Sequence, residues 1–209
     1  MLHIPPDSPG YLPAILADAG PLPCTAAADG ASVERGHIYV APPDHHVLID
    51  GSGRLKTTRG PKENRSRPAI DPLFRSAAAA YGARVIGVIL TGALNDGTAG
   101  LHMIKQRGGA ALVQDPNEAT EPSMPLSALR NVRVDHCVPL EQIAPLLVKL
   151  TQERVPTIAD MEPTAVPREL DIEIKIAQGQ HAREAGVTKL GQPSLFTCPE
   201  CQWNASQTA

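Results

Sequence analysis

The stretch Arg84–Leu101, RVIGVILTGALNDGTAGL, indicates the fold class of this chain. The six residues after Arg84 are apolar and rich in β-branched side chains, without polar alternation, which predicts a strand buried on both faces of a sheet. The run stops at Thr91-Gly92, and Asn95-Asp96-Gly97 follows before a helix-like segment. Ligands of open α/β sheets bind beyond the carboxyl ends of the parallel strands. Asp96 is therefore the first candidate for a functional side chain.

Strands and helices alternate around this stretch. Residues 71–82 (DPLFRSAAAAYG) predict a helix with Asp71 as N-cap and Gly82 as its stop. Residues 97–107 predict a second helix, AALVQ a second buried strand, Met124–Arg130 a short helix, VDHCV a third strand and LEQIAPLLVKL a closing amphipathic helix. This alternation predicts an α/β domain with a parallel sheet.

The N-terminal third has a different pattern. GHIYVAP, HHVLID and GRLKTT predict short strands, and the turn Asp50–Gly53 predicts a β-hairpin inserted before the α/β segment. MLHIPP is typical of the end of a strand, so His3 is expected at the same sheet edge as Asp96. There the two residues could form the base and orienting carboxylate of a hydrolase. The alternatives are an ordinary Asn-Asp-Gly turn and an inert terminal histidine.

Composition narrows the class of protein. The 209 residues carry a net charge of −3, which gives no support for nucleic-acid binding. No stretch is long and apolar enough for membrane insertion, and no secretory signal opens the chain. Cys24 and Cys137 stand alone, so a disulfide framework is not indicated and a cytoplasmic location is expected.

The chain divides at residue 150 into an α/β domain (1–150) and a linker with a partial tail (151–209). Within the loop-rich tail, ELDIEIKIA fits either a strand or a short helix. Cys198 and Cys201 form half of a zinc site, but no further Cys or His follows, so no metal is assigned unless two copies share one. His45-His46 favours a surface loop over a metal site.

Five ordered segments resemble the catalytic domain of the chemotaxis protein-glutamate methylesterases over roughly residues 2–150. They are LHIPPDSPGYLPAIL, ADGASVERGHIYVAPPDHHVLI, NRSRPAIDPLFRSAA, GVILTGALNDGTAGL and VQDPNEATEPSMPLSAL. The resemblance implies a doubly wound parallel α/β fold and a cofactor-free Ser-His-Asp hydrolase. Its implied reaction is hydrolysis of glutamyl methyl esters on methyl-accepting chemotaxis receptors, with glutamine deamidation in some members.

By the same resemblance, His3 is the general base, Asp96 its orienting partner, and Thr91–Leu94 part of the oxyanion site, with Ala93 where the family commonly has Met. Arg65 and Arg67 are expected to contact the acidic receptor segment; the alternative is a solvated loop with local ion pairs. The phospho-receiver domain that links the family to phosphorelay signalling has no counterpart here, so phosphorylation control is not assigned.

The chain departs from the family at the nucleophile. The family serine lies in a Ser-x-Gly-Gly turn after the first strand, and none of Ser52, Ser66 and Ser123 has that setting. Without a hydroxyl, the covalent route is lost. Without the central first strand, two rows of backbone groups would face a gap. We therefore expect a start codon placed too far downstream, or a decayed or partial gene. The function predicted is an impaired protein-glutamate methylesterase. One alternative is a non-catalytic remnant that binds receptor or signalling partners. Another is a flavodoxin-like binder of a small molecule or nucleotide, but the sequence has no Gly-rich phosphate loop after a strand.

Overall fold

The computed structural model describes residues 4–155, 167–189, 192–197 and 204–207. In chain order its elements are α1 (Leu12–Ala19), β1 (Cys24–Ala26), β2 (Ile38–Val40), β3 (His46–Ile49), β4 (Leu55–Thr58), α2 (Ile70–Tyr81), β5 (Ile86–Ile89), α3 (Thr98–Gln106), β6 (Ala110–Gln114), α4 (Ser123–Asn131), β7 (His136–Val138), α5 (Leu140–Gln152), α6 (Arg168–Ala177), α7 (Ala182–Ala185), β8 (Gln192–Thr197) and β9 (Asn204–Gln207). The α/β class predicted from the sequence is confirmed.

The main sheet is parallel and has the order β5-β6-β7. Its central strand is fully buried at Leu112 and Val113. One face of β5 packs on α2 and α3, where a Cβ at Gly87 would meet the side chains of Leu101 and Ile104. The apolar runs of the sequence therefore form the sheet that was expected, with helices covering it.

The prediction that β5 is buried on both faces holds for one face. Gly87 and Ile89 are buried, whereas Ile86 and Val88, which point to the opposite face, are half-buried. Among the described residues β5 pairs with β6 alone, so its other edge is open. A second parallel pair, β1 with β2, forms a separate sheet. Among the described residues the parallel strands thus lie in two separate sheets.

The predicted hairpin is confirmed, because β3 and β4 pair antiparallel with His46 opposite Thr58. Its turn is held by the Asp50 carboxylate, whose Oδ1 accepts hydrogen bonds from the backbone amides of Ser52 and Arg54. The prediction of a surface loop at His45-His46 is wrong for His46, which begins β3 and is fully buried. The four-residue strand continues into the core, so its first side chain points inward.

Helix α2 begins two residues earlier than predicted, at Ile70, with Ala69 at the N-cap. Asp71 is therefore not the N-cap: it lies in the first helical turn, and its side chain bonds to other elements instead of to its own helix end. Gly82, with φ of 54°, ends the helix as predicted.

The segment ELDIEIKIA is a helix, α6, and not a strand. It buries Leu170, Ile172 and Ala177, and Ile172 packs with α7 in a small cluster of its own. Because α6 contacts α2, the tail returns to the α/β part of the chain. The division at residue 150 stays a prediction; α5 itself runs on to Gln152.

His3, Cys198 and Cys201 lie outside the described residues. None of the helices within the described ranges is long and apolar enough to cross a membrane.

Candidate functional site

Asp96 lies in the loop between β5 and α3, at the carboxyl edge of the parallel sheet, and its side chain is 1% exposed. Its Oδ2 accepts a hydrogen bond from the amide of Ile70 at 2.7 Å, and its Oδ1 accepts one from the amide of Asp71 at 3.2 Å. These two amides belong to the N-terminal turn of α2, where helix N–H groups have no partner within the helix. A carboxylate placed there is stabilised in its charged form.

Asn64 completes this arrangement by joining two buried carboxylates. Its Nδ2 donates to Oδ1 of Asp96 and to Oδ2 of Asp71, at 2.9 Å in each case. The other carboxylate oxygen of Asp71 accepts from the amide of Gly100 in α3 at 2.7 Å. The site therefore contains a second carboxylate, held between two helices and next to the first.

Burial raises the pKa of Asp71 above its ordinary value, and the nearby Asp96 charge acts in the same direction. The hydrogen bonds from Gly100 and Asn64 oppose this effect because they favour the charged carboxylate. Proton uptake at Asp71 is thus easier than at an exposed aspartate.

The loop that carries Asn64 has an unusual backbone. Asn64 and Arg65 have φ of 50° and 64°, the left-handed region that non-glycine residues seldom adopt. Strain of this kind persists only where surrounding contacts impose it, and it is often found at functional sites. Here it directs the Asn64 amide inward and leaves Arg65 exposed.

One set of contacts that imposes this backbone comes from α2. Arg75, almost fully buried, donates through Nη2 to both carboxylate oxygens of Glu63 at 2.6 Å. Glu63 and Ser66 in turn pair through their backbones across the tight turn. Although burial alone would lower the pKa of Arg75, the Glu63 charge raises it overall, so the guanidinium stays charged.

His46 fixes both ends of the same loop. Its Nδ1 accepts a hydrogen bond from the amide of Ala69 at 3.2 Å, which assigns the proton to Nε2, and Nε2 then donates to the carbonyl of Pro61 at 2.9 Å. Burial lowers the pKa of His46, which keeps the ring neutral in this tautomer. This histidine holds the loop in place; it is not a metal ligand in this arrangement.

Of the two arginines expected at the substrate, Arg67 is bound within the chain. Its Nη2 donates to Oδ1 of Asp44 at 2.7 Å, and its Nη1 donates to the carbonyl of Gly60 at 2.8 Å. The Arg67 guanidinium holds the pKa of Asp44 below its ordinary value. Arg65 is exposed and makes no ion pair with any other described residue. Arg67 therefore forms a local ion pair, with Asp44.

The Thr91–Leu94 segment is attached to the loop after β6. The amide of Thr91 donates to Oε1 of the buried Gln114 at 2.9 Å, and the amide of Gly92 donates to the carbonyl of Glu121 at 2.9 Å. The amides of Ala93 and Leu94 bond to no other group among the described residues. Leu94 has φ of 67° and is 57% exposed. The two adjacent amides of Ala93 and Leu94 are thus left without an acceptor among the described residues, close to Asp96 in the same loop.

Sequence reasoning found Asp96 and the Thr91–Leu94 segment but missed Asn64, Asp71 and Gln114. Asn64 carried one usable signal, since asparagine tolerates the left-handed conformation and stands in a polar loop. Gln114 ends an otherwise apolar strand, which marks a buried polar group that needs a partner. No cluster of three metal-ligating side chains occurs within the described ranges.

A parallel α/β sheet has a buried aspartate at its carboxyl edge, in the same loop as two amides that are not bonded to any described residue. This arrangement is compatible with a hydrolytic α/β enzyme. Comparison with known proteins specifies the class. A family model described as CheB methylesterase matches residues 1–147, and the chain belongs to that family.

Relatives and a solved structure agree with this assignment. A Leptospira interrogans protein of the protein-glutamate methylesterase/protein-glutamine glutaminase type is 43% identical over 129 residues, 62% of this chain and 67% of that protein. Protein-glutamate methylesterase/protein-glutamine glutaminase 1 of Rhodospirillum rubrum is 34% identical over 155 residues, 73% of this chain but only 40% of that protein. The crystal structure of the Thermotoga maritima CheB methylesterase catalytic domain matches with a TM-score of 0.68 and 32% identity, covering 71% of this chain and 80% of that one.

Proposed function

We propose that this chain acts in the hydrolysis of glutamyl methyl esters on methyl-accepting chemotaxis receptors in the cytoplasm, and also of glutamine side chains. The observation that carries the proposal is Asp96: an aspartate that is 1% exposed at the carboxyl edge of the sheet and fixed by the amides of α2 and by Asn64. A carboxylate in that position can orient an imidazole and stabilise the imidazolium.

In the proposed mechanism His3 is the general base and Asp96 its orienting partner. His3 takes the proton of the attacking hydroxyl group, and a tetrahedral intermediate forms at the ester carbonyl. His3 then returns that proton to the departing methoxide, which leaves as methanol, and the overall reaction of ester with water gives carboxylate and methanol. The Ala93 and Leu94 amides are placed to donate to the oxyanion, and side-chain identity does not affect that role.

The nucleophile limits the rate. None of Ser52, Ser66 and Ser123 stands in the strand and Gly-rich turn that the covalent route requires. Loss of the serine from a comparable triad costs on the order of a million-fold in turnover. For these 209 residues by themselves we therefore expect hydrolysis that is far slower than that of a complete triad.

Arg65 is proposed to contact the acidic receptor segment, since it is exposed next to Asn64. Arg67 is proposed to position the same loop through Asp44 and Gly60, in addition to any receptor contact. Because none of Ser52, Ser66 and Ser123 has the family's setting, a second candidate function is a non-catalytic module that binds receptor or signalling partners without turnover.

The deciding experiment measures methanol release from receptor fragments methylated with a radioactive methyl group. The purified full chain is compared with His3→Ala, and with His102→Ala as a control at an exposed histidine of α3. The proposal expects slow release from the parent chain and from His102→Ala, and background release from His3→Ala. Equal background release from all three, together with retained receptor binding, would establish the binding module instead.

A further inference from the structure

A cavity of about 690 Å³ lies between the loop at residues 59–63 and the helices α6 and α7. It is separate from the Thr91–Leu94 segment but adjoins the loop that carries Asn64. The ionisable side chains that line it are Arg59, Lys62, Glu63, Arg67, Arg75, Glu173 and His181. The cavity is therefore a polar site at the junction of the α/β part and the tail.

The buried cation of this cavity is Arg75, whose side chain is 7% exposed. Nη2 of Arg75 is used by Glu63, whereas its Nε lies 3.1 Å from Oε2 of Glu173 without hydrogen-bond geometry. Within the described part of the chain this Nε has no hydrogen-bond partner, although it is buried. A buried N–H without an acceptor is unfavourable, and a better-placed carboxylate would satisfy it.

The carboxylate of Glu173 is held only weakly beside Arg75. The Glu173 side chain is 56% exposed, and ion pairs with an exposed partner contribute about 1 kcal/mol or less. A further cation at the cavity, Lys62, is exposed and forms no ion pair with the described residues. Arg59 is also largely exposed, 3.3 Å from Asp44. The cavity thus contains the weakly held carboxylate of Glu173 and two exposed cations, Arg59 and Lys62, that can bind a carboxylate of another molecule.

We propose that this cavity binds a carboxylate of an acidic receptor segment and that Glu173 occupies that position in the free chain. The identity of the partner rests on the proposed function, while the binding chemistry rests on Arg75, Lys62 and the cavity. Because Lys62 and Glu63 lead directly into Asn64 and Arg65, a segment bound here continues toward Asp96. Glu173 of helix α6 then competes with the acidic segment for Arg75.

The test measures fluorescence anisotropy of a short fluorescein-labelled glutamate-rich peptide with the full chain at low salt. A glutamine-substituted version of the peptide serves as the uncharged probe. Removing the internal competitor with Glu173→Gln should tighten binding of the acidic peptide by about two- to five-fold, the range of an exposed ion pair. Lys62→Glu should weaken it by at least a similar factor. The glutamine-rich peptide should respond to neither change.

Two controls make the same charge changes elsewhere. Glu169→Gln alters an exposed glutamate one turn earlier in α6, and Lys149→Glu alters an exposed lysine of α5. Circular dichroism establishes that each variant is folded. Equal affinities of Glu173→Gln and Glu169→Gln, or of Lys62→Glu and Lys149→Glu, would overturn the proposal. Turnover is not measured, so a chain that releases no methanol can still confirm this site, and an active chain can still refute it.

Discussion

The side chain of Asn64 lies between Asp96 and Asp71, 2.9 Å from a carboxylate oxygen of each. One amide group therefore reduces the repulsion between two buried acids and fixes the one proposed to orient the catalytic base. Asn64 reaches this position only because its backbone is in the left-handed region.

Replacing Asn64 with glycine should destabilise the protein by about 1–3 kcal/mol, because two hydrogen bonds to buried carboxylates are lost. Glycine tolerates the positive φ, so backbone strain is not the cause. The matched control is Arg65→Gly, which alters a neighbour with the same backbone and an exposed side chain. Urea unfolding should show the larger loss for Asn64→Gly; equal losses would mean that the amide bridge contributes nothing.

Asp71 should make stability fall as pH rises. Because its pKa is raised in the folded state, the native protein binds more protons than the unfolded chain between the ordinary pKa and the raised one. The contribution of this group is complete below about pH 4, the ordinary value, and is lost as pH rises through the raised pKa.

The measurement for Asp71 is the free energy of unfolding as a function of pH for the parent chain and for Asp71→Asn. The difference between the two curves should decrease with increasing pH above about pH 4. The buried His46 has a lowered pKa and contributes a slope of opposite sign, which cancels in this difference. A flat difference curve would show that Asp71 titrates normally.

Gly100→Ala should destabilise the protein by about 1–3 kcal/mol, although alanine ordinarily favours a helix over glycine. The added Cβ would overlap the Cβ of Phe74 and lie 3.1 Å from the carbonyl oxygen of Asp71, so α2 and α3 would be forced apart. Gly51→Ala is the control, since nothing lies within 4 Å of a Cβ there. Thermal unfolding that ranks the two variants equally would contradict this close approach of the helices.

Gln114→Leu should release the Thr91–Leu94 segment. The variant keeps the size of the side chain but removes the acceptor of the Thr91 amide, which then exchanges with solvent faster. The cost in stability should be about 1–3 kcal/mol. Amide exchange followed by NMR checks the prediction, with Gln142→Leu on the exposed side of α5 as control. Unchanged exchange at Thr91 would mean that the Glu121 contacts alone hold the segment.

The sequence by itself determined the succession of elements from α2 to α5 and the position of one candidate functional residue. Apolar runs predicted β5 and β6, and the turn residues Asp50–Gly53 predicted the hairpin, because strand periodicity and turn chemistry are local properties of a chain. The place of Asp96 followed from the same logic, since a residue directly after a parallel strand lies at the carboxyl edge. For ELDIEIKIA two periodicities fitted equally well, and only packing against α2 and α7 selected the helix.

Only the tertiary structure decided which side chains meet Asp96 and which arginine is available to a partner. Asn64 and Asp71 are separated from Asp96 by 32 and 25 residues, and neither separation has a sequence signature. Arg65 and Arg67 look alike in the sequence, yet one is exposed and the other is paired with Asp44, 23 residues away. Hydrogen bonds and ion pairs between distant residues depend on distances of a few ångströms that arise only when helices and loops have packed.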